Sequence, residues 1–426
     1  MGLGRDIAYG LGAAAAAPLW ATSMLRTGKW RTDWPGRFGH VPDCADDKAS
    51  ATERKTLLIH GVSVGEVNLV RGLVAELEPA ESLELVISST TNTGTARAEA
   101  LYGDRHRVVR FPLDFSFAVR RFLDAVRPDA VALVELEVWP NFMEACERRG
   151  VPVAVINGRL SERSYRGYRR FRPLVAPSFG KLAAAAVQDD AYAERFVGLG
   201  AAAERVHVFD TMKWDAADLA DAVDGADALA EAMGIDRSRP LVVAGSTAPG
   251  EDDLLIRTRP PEVQLLIAPR KPEWFDAVTR HAPDAVRRTT THHAARPPTS
   301  GGDVFLLDTI GELRAAYSLA DVCVVGRSFT GELYGSDMVE PIALGKPTVV
   351  GPHFRDFADT MKALTDAGGI VVSDDPMGAA TELLNNPTLA AEVAASGREV
   401  IRSRRGATPR HAALLRNLLG LATPPT

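Results

Sequence analysis

The stretch TLLIHGVSVGE, residues 56–66, decides how the rest of the chain is read. Its first half is an apolar run of strand length, and its second half is a Ser-Val-Gly turn that ends on a glutamate. A strand that stops in a tight turn and resumes as a helix opens a β-α-β unit. A glutamate in the first turn of such a helix is favoured by the helix dipole, which alone accounts for Glu66. The same position suits a general base.

The rhythm repeats downstream. Short apolar runs fall at 83–88, 106–111, 130–135, 152–156, 182–188 and 205–209, separated by segments such as 66–78 and 115–127 with apolar residues at helical spacing. This alternation predicts a parallel, doubly wound sheet. An Ala- and Asp-rich stretch at 215–240 then reads as a helix and linker. Behind it a second α/β series follows at 241–246, 263–269, 303–308, 321–326 and 347–351. The expected organisation is therefore an N-terminal segment at 1–37, a Rossmann-like domain at 38–214, the linker at 215–240 and a second Rossmann-like domain at 241–426. Residues 282–302, rich in Pro, Thr, His and Gly, read as a loop. Two such domains leave a cleft, with ligands expected outside the carboxyl ends of the strands.

Composition narrows the function classes. The 426 residues carry a net charge of -6, which excludes a general nucleic-acid binder. Cys44, Cys146 and Cys323 are too few and too widely spaced for a disulfide framework or a zinc site. Residues 7–25 carry no charge, contain Pro18, and are followed by Arg26, Lys29, Arg31 and Arg37. The segment is expected to associate with a membrane, as a span or an interfacial helix, ahead of a cleaved signal or a helix packed on the protein itself. For a span, the basic flank places the body of the protein in the cytoplasm.

Chemistry-bearing residues cluster at the predicted strand ends. In VELEVWPN (134–141), Glu135 and Glu137 are read as ending a strand on one face of it, where carboxylates are costly unless solvated, paired or used. INGRLSERSYRGYRR (156–170) carries five arginines, suited either to an anionic substrate or to a solvated helix face. FDTMKWD (209–215) brings Lys213 to another strand end. In the second series, Arg270 and Lys271 follow a strand, Gly311 and Glu312 start a helix, and Asp337 and Glu340 have the spacing of a capping box beside a glycine-containing loop.

Taken in order, HGVSVGE, SSTTNTGTARA, ELEVWPN, INGRLSERSYRGY, MKWD, AGSTAPGEDD, PRKPE, IGELRAAYSLADVCVVG and EPIALGKP resemble the 3-deoxy-D-manno-octulosonic acid (Kdo) transferases. The resemblance spans nearly the whole chain. It implies a GT-B glycosyltransferase, two Rossmann-like domains with an N-terminal membrane-associating helix, at the cytoplasmic face of the inner membrane. The implied reaction moves Kdo from CMP-Kdo to a lipid A precursor, with inversion and with no metal or other cofactor. By the same resemblance Glu66 is the general base, and Glu135 and Lys213 stabilise the transition state. Pro269, Arg270, Ile310, Gly311, Glu312, Asp337, Met338, Val339 and Glu340 contact CMP. The chain departs from the family where Gly61 replaces an alanine, where Asp210 and Thr211 replace a Gly-Ser pair, and where Tyr334, Gly335, Ser336 and Asp337 replace a Gly-Gly-His-Asn run. The alternatives are a transferase for another nucleotide sugar, a sugar-nucleotide epimerase on the same fold and a non-catalytic binding protein.

Overall fold

The computed structural model describes residues 4–7, 9, 32–42, 54–80, 82–291, 303–331 and 333–422. They form two compact units, Met1–Ala216 with Gly406–Thr426, and Ala217–Arg405.

The first unit holds β1 (Lys55–His60), β2 (Leu83–Ser89), β3 (Arg107–Arg110), β4 (Ala130–Val134), β5 (Val153–Gly158), β6 (Ala184–Val187) and β7 (Val206–Val208). Their order is β3-β2-β1-β4-β5-β6-β7, and every pairing is parallel. Helices cover both faces, so a central strand such as β4 is buried along its whole length and reads as an uninterrupted apolar run. Phe122, Phe142, Phe179 and Phe196 pack one face; Leu73, Leu77, Tyr102 and Leu415 pack the other. The strand order reverses between β1 and β4. The connections leaving two such strands diverge to opposite faces and open a crevice at their carboxyl ends.

The second unit holds β8 (Leu241–Thr247), β9 (Gln264–Pro269), β10 (Val286–Arg287), β11 (Val304–Leu306), β12 (Val322–Val325), β13 (Thr348–Val350) and β14 (Val371–Val372). Its order, β10-β11-β9-β8-β12-β13-β14, is again all parallel, with the reversal between β8 and β12.

Four sequence expectations change. The two-residue strands β10 and β14 carry too little pattern to be read, and β10 with the helix Arg288–Thr291 lies inside the stretch taken as a loop. The Ala-rich stretch holds the expected helix, Ala226–Met233, but that helix belongs to the second unit, where it buries Ala226, Leu229, Ala230 and Met233 in the core. The last helix, Ala407–Leu419, leaves the second domain and packs Ala412 and Leu415 against the first. Strand β4 stops at Val134, so Glu135 and Glu137 are not two positions on one strand face.

The N-terminal uncharged stretch lies almost wholly outside the described residues. Just ahead of it, Arg5 pairs with Glu144 at 2.6 Å and Asp6 accepts the Ser116 N–H at 2.9 Å. Among the described residues, no helix is long and apolar enough to cross a membrane.

Candidate active site

Glu66 is the third residue of the short helix Val64–Leu69, whose N-cap is Ser63. The Ser63 hydroxyl donates to Glu66 Oε1 at 2.9 Å, and the Val62 N–H donates to Oε2 at 2.7 Å. The Ser63 oxygen also accepts the Glu66 N–H at 3.5 Å, so N-cap serine and glutamate three apart hold each other in a variant of the capping box whose glutamate takes the Val62 N–H. The local reading and the functional one therefore coincide: the cap aims the carboxylate. Burial pushes the Glu66 carboxyl above its ordinary value against the Val62 and Ser63 hydrogen bonds, and the nearby Glu135 charge pushes it further up. The adjacent His60 has no such freedom. It is fully buried, lies 3.0 Å from Ser88 Oγ through Nδ1, and stacks on Phe111 at 3.7 Å. Burial drives its pKa down to about 3, so it is a neutral core residue and not a base.

Glu135 follows the neighbouring strand end. Its backbone is left-handed, φ 62°, unusual for a side chain with a Cβ, and its N–H is held by Ile156 O at 3.0 Å. Two residues on, Trp139 Nε1–H donates to Glu137 Oε2 at 2.7 Å. Burial raises the Glu137 carboxyl to about 7 against that hydrogen bond, and the charges of Glu66 and Glu135 add to the rise. Three carboxylates thus sense one another at the β1/β4 reversal. Tyr168, on the basic helix Glu162–Arg170, is also raised, first by burial and then by the Glu137 charge.

Lys213 is exposed in a turn after β7. Asn157, at the end of β5 and itself left-handed at φ 50°, accepts the Met212 N–H at 3.0 Å. Ile156 holds Glu135 and Asn157 holds the Lys213 turn, so consecutive residues of one strand position both groups. Asp215 in turn accepts the Gly406 and Thr408 N–H groups at 2.6 Å each, tying this turn to the last helix.

In the second unit the expected donor segments gather at the carboxyl ends of the strands. Pro269 ends β9, and Arg270 is exposed with its N–H on Thr247 O at 3.0 Å. Ile310 is 84% exposed, and Gly311 takes φ 101°, a backbone that suits glycine. Glu312 is gripped by Arg288, Nη2 to Oε1 at 2.9 Å and Nε to Oε1 at 3.1 Å. Met338 and Val339 are buried, Asp337 is exposed, and Asp337 Oδ1 accepts the Val339 N–H at 2.9 Å. The N-cap of the helix Val339–Ala343 is Met338, so the capping box read from Asp337 and Glu340 does not form. Burial raises Glu340 while Arg314 opposes it, and buried Tyr317 senses both Glu340 and Asp337. The buried Tyr317 hydroxyl and Ser336 Oγ have no hydrogen-bond partner among the described residues.

Sequence reading passed over Asn157, Asp215, Arg288 and Tyr317; for the first three, the contacts that matter lie 24 to 193 residues away in the chain. Only the polar end of β5, Asn157 after an apolar run, carried a signal. Among the described residues there is no group of three or more His, Cys, Asp or Glu side chains arranged to hold a metal ion.

Comparison with known proteins bears on this site. The family described as 3-deoxy-D-manno-octulosonic-acid transferase (kdotransferase) matches residues 32–216. The chain is 31% identical to the 3-deoxy-D-manno-octulosonic acid transferase of Bordetella pertussis over 98% of its own length and 100% of the relative's. It is 29% identical to the Haemophilus influenzae enzyme of the same name, over 87% and 89% of the two chains. Among solved structures, Anabaena HepE in complex with UDP aligns with a TM-score of 0.57 at 14% identity, covering 86% of this chain and 100% of that one. UDP-GlcNAc 2-epimerase of Neisseria meningitidis aligns at 0.55 and 12% identity, covering 86% and 99%. These two share the fold of paired parallel α/β domains and nothing finer.

Proposed function

The chain belongs to the Kdo transferase family, and on that premise we propose that it transfers Kdo from CMP-Kdo to a lipid A precursor, lipid IVA, with Glu66 as general base. The observation that carries this reading is the meeting of Glu66, Glu135 and Glu137 at the strand reversal of the first unit. Glu66 takes the proton of the acceptor hydroxyl as that oxygen bonds to the anomeric carbon of Kdo, while the bond to the CMP phosphate breaks and its electron pair leaves with CMP. Burial, by raising the affinity of Glu66 for a proton, makes it a stronger base than a solvated glutamate. Glu135 stabilises the cationic character that builds on the sugar ring. Lys213 is read with Glu135 as a transition-state group of the first unit; in the second unit, Arg270 and the helix start after Gly311 balance the charge that develops on the phosphate, so the reading calls on no metal or other cofactor. One displacement, with the base opposite the leaving group, inverts the anomeric centre.

The acceptor side fits a lipid. The helix Glu162–Arg170 buries none of its residues, and directly after it Phe171 and Leu174 stand 62% and 70% exposed among Arg169, Arg170 and Arg172. Apolar side chains ringed by arginines suit the anionic cytoplasmic face of the inner membrane. A second reading, transfer from another nucleotide sugar, rests on the exposed Asp337 in the donor loop, which sets a negative charge near the expected phosphate.

The test is to incubate the purified protein with CMP-Kdo, generated in place, and tetraacylated lipid A precursor, following CMP release and product mass. Absence of transfer beside an active control enzyme overturns the reading. Glu66→Gln is expected to fold and bind CMP but to lose transfer; near-normal turnover removes Glu66 as the base.

A further inference from the structure

The motif SSTTNTG, residues 88–94, has no part in the chemistry above, yet three of its donors converge on one atom at the start of the Glu66 turn. The Val62 carbonyl oxygen accepts the Ser89 hydroxyl at 2.9 Å, the Thr91 hydroxyl at 2.9 Å and the Thr91 N–H at 3.1 Å. A carbonyl has two lone pairs, so three donors leave this oxygen no freedom to move. The Thr91 hydroxyl is itself oriented, because it accepts the Gly94 N–H at 3.0 Å as the N-cap of the helix Asn92–Tyr102. Gly94 closes the arrangement. A Cβ there would lie 2.7 Å from Thr91 Oγ1, 3.0 Å from Val62 O and closer still to Ser89 Oγ, so any side chain would push the three groups apart. Ser89 is fully buried. From the other side of the same residue, the Val62 N–H makes the 2.7 Å bond to Glu66 Oε2.

We infer that Ser89, Thr91 and Gly94 are positioning residues for the Glu66 carboxylate, acting through the clamped backbone of Val62; this rests on the reading of Glu66 as the base. The pinned carbonyl belongs to the Val62–Ser63 peptide, so the clamp fixes Ser63, whose hydroxyl donates to Oε1, and through the Val62 Cα it restrains the N–H that donates to Oε2. The Ser-x-Thr-x-x-Gly spacing is what the clamp requires: one hydroxyl on the last residue of β2, a second on the N-cap of the helix that follows, and a residue without a side chain three positions beyond that cap.

The test uses the full-length protein with Ser89→Ala, Thr91→Val and both together, and reads two quantities: the acid limb of the kcat/KM–pH profile, and the titration of the Glu66 carboxyl followed by 13C NMR with Glu66→Gln as the assignment reference. A hydrogen bond to the ionised form lowers a carboxyl pKa, so loosening it moves both to higher pH, by about half a pH unit to one in the double variant. The plateau kcat falls about tenfold with the KM for CMP-Kdo little changed. Thr91→Ser, which keeps the hydroxyl, restores both. If the carboxyl titration moves and the acid limb does not, the clamp stands and Glu66 is not the base. If neither moves while the melting temperature drops, the clamp is only structural and the inference is overturned.

Discussion

Replacing Glu137 by glutamine separates its charge from its shape. The Trp139 N–H finds an oxygen in either side chain, so the variant removes only the ionisation. The folded protein holds the Glu137 proton up to about pH 7, whereas the unfolded chain releases it near 4.5. Between those values the folded state binds more protons, so this residue's contribution to stability is fullest below the unfolded pKa and is lost as pH rises through the folded one. A tenfold change in proton affinity corresponds to about 1.4 kcal/mol, which puts the full penalty at about 3 kcal/mol; solvent screening at this half-buried site reduces it to about 2 kcal/mol. Glu137→Gln is therefore expected to match the wild type at pH 4 and to exceed it at pH 8 by about 2 kcal/mol, a rise of about 4–8 °C in the melting temperature of a unit this size. Calorimetry of both proteins across that range reads the gap directly. A gap independent of pH, or one that closes as pH rises, refutes the view that burial, with the charges of Glu66 and Glu135 behind it, holds the Glu137 carboxyl above its ordinary value.

Other substitutions test the scaffold around the site. Asp215→Ala removes the acceptor for the Gly406 and Thr408 N–H groups at the start of the last helix. It should cost about 1–2 kcal/mol and speed hydrogen exchange across Ala407–Leu419, whereas unchanged protection would show that the cap does not hold that helix. Asn157→Ala frees the Met212 N–H beneath Lys213. Its kcat should fall about tenfold with donor KM nearly constant, and a wild-type kcat would detach the Lys213 turn from catalysis. Phe171→Ser with Leu174→Ser should weaken binding to anionic vesicles several-fold while leaving thermal stability within about 0.5 kcal/mol, since both side chains are exposed. Equal vesicle binding by the double variant would move the membrane contact elsewhere.

Much of the fold was legible because a strand covered on both faces must be apolar along its length. β1, β4 and β8 therefore show as plain runs, while β10 and β14, two residues each, show as nothing. The site was legible in pieces. Glu66 announced itself through its helix start, and Lys213 through its place after β7. Glu135 was found for a partly mistaken reason: it lies beyond the strand, in a left-handed turn held by Ile156, and no alternating pattern describes it. Ser89, Thr91 and Gly94 were visible as a motif, but their purpose depends on Val62, a residue 27 to 32 positions earlier in the numbering.

The sequence by itself determined what neighbours along the chain can determine: the β-α alternation, the two domains, and the Ser63–Glu66 cap that orients the carboxylate. Only the tertiary structure decided what those pieces meet. Glu66 senses the charge of Glu135 because β1 pairs with β4 across two intervening strands of sequence, and the crossover connections, not local propensity, set that order. The C-terminal helix joined the first unit because Ala412 and Leu415 found an apolar face there and Asp215 a pair of N–H groups to cap. The raised carboxyls of Glu66 and Glu137 follow from the same cause, since burial and like charge belong to a place in the fold and not to a position in the chain.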